Sequence, residues 1–125
     1  MYLTLNVLMK QQRSRLDTLD IPIVQDTRLR EWNYGLLNGE SVKKIDGLKK
    51  DHLLLPFPSG ESLEKAIERF LSFYGEYLEE MTQGNIMIIG HRATYYALEH
   101  FYHNISLLKL TSEPWHWQPG WHYMR

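Results

Sequence analysis

Four consecutive apolar residues, Ile86 to Ile89, stand between Asn85 and the pair Gly90-His91, and they read as a buried strand. Beyond them the spacing changes. Ala93, Tyr96, Ala97, His100 and Phe101 recur at helical intervals. Gly90 supplies the turn between the two patterns, so His91 is placed in the crevice between the carboxyl end of a strand and the amino end of a helix. Ligands of open α/β sheets bind in such crevices, and exposed helix N–H groups favour anions. The alternative for His91 is an ordinary loop histidine. Upstream, Leu63, Ile67, Phe70, Leu71, Tyr74 and Leu78 form one apolar stripe. This predicts a helix over 61–83, with Ser59 as N-cap, Glu61 near its positive end and Gly84 as its stop.

The rest of the chain is patterned more weakly. Met1 to Met9 is apolar and reads as a buried helix or strand. Leu5, Leu8, Met9, Gln12, Leu16 and Leu19 fall at roughly helical intervals and predict an amphipathic helix. Ile21-Pro22-Ile23-Val24 suits the start of a strand. Residues 26–40 form a polar loop holding Trp32, Tyr34, Gly35 and Gly39, and 41–50 a short basic helix broken at Gly47. Residues 53–60, with two prolines and a glycine, are a loop. The pattern at 105–110 fits more than one element. Residues 115–124 alternate aromatic side chains around Pro119-Gly120, as in a bent strand or two short ones. Alternation of helices and strands predicts an α/β fold, a mostly parallel sheet with flanking helices.

Length and composition narrow the function. A chain of 125 residues is expected to be one domain, 1–125, with a modest core. A net charge of −1 gives no electrostatic argument for nucleic acid or an anionic membrane. There are no cysteines, so disulfides, thiolate catalysis and cysteine-ligated zinc are excluded; this is compatible with a cytoplasmic location, which is the expectation. No apolar run approaches the roughly 20 residues of a membrane span. Met1 to Met9 lacks the basic start and small-residue cleavage site of a signal peptide. His100 and His103 lie three apart, and His116 and His122 flank the last turn, but no carboxylate stands at a matching spacing. No metal and no cofactor is expected.

Three segments in order resemble the histidine phosphatase superfamily, which includes the cofactor-dependent phosphoglycerate mutases. The first runs from Asp26 through Leu29, Arg30 and Glu31 to Gly35 and Gly39. The second is Pro58-Ser59-Gly60-Glu61-Ser62, with Arg69 farther along the helix. The third is Ile88-Ile89-Gly90-His91-Arg92. The ending Trp115-His116-Trp117-Gln118-Pro119-Gly120-Trp121 is also similar to that of bacterial members. The likeness covers roughly 21–123, the later part of a family domain. It departs from the family at the start. The family's first strand ends in Arg-His-Gly, whose histidine takes the phosphoryl group, and no Arg-His-Gly occurs in this sequence. Spacing places a further family arginine near Leu5, where there is none, and Arg13 and Arg15 lie too close to the match to inherit its role.

The resemblance implies phosphomonoester chemistry, as a phosphatase or phosphomutase. His91 would be the second histidine, donating to a phosphoryl oxygen. Glu31 would be the general acid that protonates the leaving alkoxide; the bland alternative is a solvated loop carboxylate. Arg28 and Arg92 would orient phosphate or sit at the surface. Glu61 and Ser62 would contact ligand or cap a helix. With the nucleophile missing, turnover by the isolated chain is not expected. The alternative is a non-catalytic binding or oligomerisation module derived from the same fold. In either case the fold is expected to be an N-terminally truncated version of the family's. Loss of a central strand exposes two sheet edges. Met1 to Met9 is the candidate to fill the gap, in its own chain or by exchange, so a homodimer is expected, with swapped elements as one form of it.

Overall fold

The computed structural model describes residues 4–9, 22–118 and 120–124. A three-stranded sheet has the order β2-β1-β3. Its strands are β1 (Thr4–Met9), β2 (Ile86–Gly90) and β3 (Gly120–Met124). β1 runs parallel to β2, with Leu5 opposite Ile86 and Met9 opposite Gly90. It runs antiparallel to β3, with Leu5 opposite Tyr123. Among the described residues the sheet is therefore mixed, and a mostly parallel sheet is not what they form, because β3 returns along the strand that β2 accompanies.

Residues 4–9 are strand, one of the two readings of Met1 to Met9, and not part of the amphipathic helix that the spacing from Leu5 to Leu19 predicts. Leu5, Leu8 and Met9 satisfy a helical spacing, but ladders on both sides occupy this segment's backbone N–H and C=O groups, which a helix would bond internally. The remainder of the predicted helix, 10–20, lies outside the described residues, as does Ile21. The predicted strand at Pro22–Val24 is absent. Those residues have no regular structure, stand outside the sheet, and leave Ile23 and Val24 exposed.

The helices are α1 (Val42–Leu48), α2 (Leu63–Glu76), α3 (Leu78–Gln83), α4 (Arg92–His103) and α5 (Leu107–Ser112). Gly47 does not break α1, and one turn of 3-10 helix, Lys49–His52, continues it. The long predicted helix is two helices that meet at Tyr77, a residue out of helical conformation. Its N-cap is Ser62, whose hydroxyl accepts from the Lys65 N–H at 3.3 Å. Ser59 instead takes a left-handed φ of 57° in the preceding turn. Residues 107–112 resolve the open pattern as helix, capped by Ser106. Of the aromatic tail, only Gly120 onward is strand.

The core joins α2, α4 and the sheet through Leu63, Ile67, Phe70, Phe73, Tyr74, Ile88, Tyr96, Leu98 and Tyr123. Leu71 was predicted in this stripe but is exposed, and Phe73 takes its place. Phe70, Phe73 and Tyr74 share one face at i, i+3 and i+4, and Leu71 is turned about 100° away. Phe101 and His100 likewise end outside the core. Each fully buried large apolar side chain contributes roughly 1.5–3 kcal/mol. Among the described residues no helix is long and apolar enough to cross a membrane.

Candidate active site

The strand-to-helix turn forms as its residues dictate. A Cβ on Gly90 would meet Thr94 Oγ1 at 2.5 Å, so only glycine lets α4 pack this tightly on the end of β2. His91 is the N-cap of α4, and its N–H donates to Thr94 Oγ1 at 3.4 Å. The next two N–H groups donate to one carboxylate: Arg92 to Glu31 Oε2 at 3.3 Å and Ala93 to Glu31 Oε1 at 3.2 Å. Glu31 Oε1 also accepts from the Trp32 N–H at 2.9 Å. A carboxylate at this end of a helix is stabilised by the macrodipole. Glu31 Oε2 lies 4.0 Å from His91 Nδ1, and the two side chains are equally half-buried. Residues 60 positions apart thus face one another at the carboxyl end of the sheet. β1 ends here as well, with Met9 beside Gly90.

The loop that presents Glu31 is held from behind by Arg69. Its guanidinium donates to three successive regions of that loop, the carbonyls of Arg28 and Arg30 at 2.8 Å and of Glu31 at 2.9 Å. It also grips Glu61 with Nε at 3.2 Å and Nη2 at 2.6 Å. Glu61 Oε1 accepts in addition from the Asn33 N–H at 3.0 Å. Burial pushes the Glu61 carboxyl up, but the Arg69 and Asn33 hydrogen bonds and the charges of Arg69 and Arg30 together hold it below its ordinary value. Loops 31–38 and 57–62 are further clasped by backbone bonds, Glu61 N–H to Asn33 O at 3.0 Å and Leu36 N–H to Pro58 O at 2.9 Å. Buried Trp32 adds an indole bond to Glu61 O at 2.7 Å. Gly35 has a φ of 59° and faces Pro58 so closely that any Cβ would collide.

The Arg92 side chain is held by Asp46 and Trp115. Nη1 donates to Asp46 Oδ1 at 2.8 Å, and the guanidinium lies 4.6 Å from the centre of the Trp115 ring. The same Asp46 oxygen is 3.0 Å from Lys49 Nζ. Lys49 is only 2% exposed, against the ordinary expectation for a lysine. Burial lowers its pKa and the Arg92 charge adds to this, against the opposing pull of Asp46 and Glu31. Burial likewise pushes the Asp46 carboxyl up, but Lys49 and Arg92 outweigh it and leave it below its ordinary value. The Tyr96 hydroxyl, 3.5 Å from Lys49 Nζ, is pushed up to about 12, mainly by burial. A cavity of about 210 Å³ opens here, with Glu31, Tyr34, Asp46, Lys49 and Arg92 in its wall.

The structure therefore brings Glu31, His91 and the backbone of Arg92 together. Arg28 stands elsewhere, bonded to Asp26 at 2.7 Å, Glu76 at 2.7 Å and Ser72 at 3.2 Å. Glu61 braces the loop from behind, and Ser62 caps α2. Lys49 and Asp46 escaped sequence reasoning, because a lysine in the run Lys49-Lys50-Asp51 carries no signal of burial. Arg69 sat in the quoted pattern without a role, and only its five hydrogen bonds reveal one. His103 pairs with Glu99 at 2.9 Å, and His100 Nδ1 lies 2.8 Å from Ile105 O. No cluster of metal-ligating side chains exists among the described residues.

The end of β2 at Gly90, His91 as N-cap of α4 and Glu31 on the first N–H groups of that helix form one strand-to-helix crevice. The sequence model of the histidine phosphatase superfamily (branch 1) matches residues 12–117, and the chain belongs to that superfamily. Over 89 residues it is 32% identical to a 2,3-bisphosphoglycerate-dependent phosphoglycerate mutase of Cytophaga hutchinsonii. That stretch is 62% of this chain and 41% of the relative, so the chain spans less than half of the relative's length.

Proposed function

We propose that the Glu31–His91 crevice receives the phosphoryl group of a small phosphomonoester, and that the isolated chain binds this ligand without turning it over by a histidine nucleophile. His91 would donate to a phosphoryl oxygen. Glu31, 4.0 Å from His91, would be the proton donor to the leaving oxygen. The observation that carries the proposal is the position of β1. Its carboxyl end lies beside Gly90, where a nucleophile from a neighbouring strand would enter, and Thr4–Met9 contains no histidine. Phosphoryl transfer also needs cations around the equatorial oxygens. Arg28, Arg69 and Arg92 are each already bound to carboxylates. The support for substrate class is family membership and the mutase relative. The function belongs to one domain, 1–125, acting in the cytoplasm without a cofactor or nucleic acid.

The test uses the purified 125-residue chain and its His91→Ala variant. Neither should hydrolyse p-nitrophenyl phosphate above the buffer rate. Wild type should bind ethyl phosphate in a calorimetric titration, and the variant should bind it more weakly. Hydrolysis by wild type that vanishes in the variant would overturn the no-turnover reading. Absence of binding in both folded proteins would overturn the ligand.

A second reading, an oligomerisation module, is favoured by the outer edge of β2. This strand is the last in the described sheet, and beside it a mainly apolar groove of about 300 Å³ includes Ile23, Val24 and Met87, all exposed. Such an edge is a template for another strand. A second copy of the chain would cover it, giving a homodimer. β1 already pairs within its own chain here, so strand exchange is not needed for that contact. Sedimentation at micromolar concentration should show a dimer; a cooperative, folded monomer would exclude it.

A further inference from the structure

The aromatic segment between α5 and β3 encloses, together with α4, a cavity of about 270 Å³. Tyr95 and Tyr96 enter its wall from α4, and Trp115, Trp117 and Trp121 from the segment and the start of β3. The Tyr95 ring centre stands 5.3 Å from that of Trp115 and 4.9 Å from that of Trp121, and the two indoles are 5.6 Å apart. Their planes meet at 85°, 43° and 48°, so no two of the three lie face to face. An aromatic face carries the negative end of the ring quadrupole and attracts cations. One of these rings already holds one: the Arg92 guanidinium is 4.6 Å from the centre of Trp115, its charge met by Asp46 at 2.8 Å. Among the described residues, Glu113 is the one Asp, Glu, Lys or Arg side chain in the wall. Its partner Lys109 is 3.8 Å away, and both side chains are more than half exposed, so the pair is worth little. Burial raises the Tyr95 hydroxyl, and the charges of Glu99 and Glu113 raise it further, so a negative field reaches this wall.

We infer that this cavity binds a small alkylated ammonium ion, with the aromatic rings around the cation and Glu113 as its counter-charge. The rings attract the charge and bury the alkyl groups together. A bare metal ion lacks the alkyl surface, and a neutral alcohol of equal size lacks the charge. About 270 Å³ is the share of roughly nine waters, which admits an ion of the size of choline. Neither Glu31 nor His91 lines this cavity, so the inference stands apart from the proposed phosphoryl site.

Titration calorimetry on the full chain tests this with choline and its neutral carbon isostere, neohexanol. Choline should bind at least about tenfold more tightly than the alcohol, the effect of a partly desolvated cation among aromatic rings. Glu113→Gln should weaken choline about threefold and leave the alcohol unchanged. Trp117→Leu should weaken choline by at least the same factor. Glu113 and Trp117 are both exposed, so both variants should keep the fold, which urea unfolding checks. Cosedimentation with phosphatidylcholine vesicles, set against phosphatidylglycerol vesicles, distinguishes a lipid headgroup from a free solute as the source of the ammonium group. Absence of choline binding, equal binding of choline and neohexanol, or choline binding that neither variant weakens overturns the site.

Discussion

Replacing Arg69 by methionine should loosen the loop that carries Glu31 more than any other single change to that region. The substitution removes three bonds to loop carbonyls, at 2.8, 2.8 and 2.9 Å, and both contacts to Glu61. The Arg69 and Glu61 side chains are 13% and 14% exposed, so little water is available to replace the lost partner. Breaking a buried pair by removing one member costs about 3–5 kcal/mol. Glu61 keeps the Asn33 N–H at 3.0 Å, which places the cost toward the lower end, about 3 kcal/mol. With a urea slope of about 2 kcal/mol per molar, the unfolding midpoint should fall by about 1.5 M. The corresponding drop in Tm is roughly 10–15 °C. The cycle with Glu61→Gln should show a coupling of at least about 1 kcal/mol. The pH dependence follows from the lowered Glu61 carboxyl. Its stabilisation is complete above its unfolded value near about 4.3 and is lost as pH falls through its lower folded value. Wild type should therefore lose more stability than Arg69→Met between about pH 5 and 3. A variant within about 0.5 kcal/mol of wild type, zero coupling, or parallel pH profiles would refute the reasoning.

Three further changes probe the same framework. Gly35→Ala should destabilise by about 2 kcal/mol or more in urea unfolding, because φ is 59° and the Cβ meets the Pro58 backbone; a loss under about 0.5 kcal/mol would contradict the close approach. Trp32→Phe keeps most of the buried ring but leaves Glu61 O without its indole donor, which should lower stability by about 1–3 kcal/mol in the same assay. Tyr123→Phe removes the 2.6 Å bond to buried Glu99 and should cost a similar amount, leaving Glu99 with His103; a more stable variant would show that the hydroxyl does not satisfy that carboxylate.

Periodicity was informative wherever one face of an element meets a continuous core. The stripe of α2 and the apolar run of β2 were legible because Ile67, Phe70 and Ile88 have only one buried environment to enter. It failed where partners decide. Leu5, Leu8 and Met9 fit a helical spacing, but β2 and β3 on either side make residues 4–9 a strand. Pro22–Val24 had strand composition and found no place in the sheet. Ser59 and Ser62 are both capping residues by type, and the left-handed φ of 57° at Ser59 leaves the cap to Ser62.

The candidate site divides along the same line. The apolar run, Gly90 and the helical spacing after it determined by themselves that His91 would stand at a strand–helix crevice, since each is a local constraint on the backbone. The motif resemblance put Glu31 forward, and the superfamily match agrees with that family. Only the tertiary structure decided what surrounds them. It delivered Glu31 to the α4 N–H groups, gave Arg69 the loop carbonyls, and paired Lys49 and Arg92 on one Asp46 oxygen. The Ala93–Glu31, Arg69–Arg28 and Arg92–Asp46 pairs are 62, 41 and 46 residues apart, too far along the chain for local spacing to encode, whereas Lys49 and Asp46 are a local i,i+3 pair. A long-range charge pair is a property of how elements pack, and burial of a lysine depends on what the rest of the chain places over it.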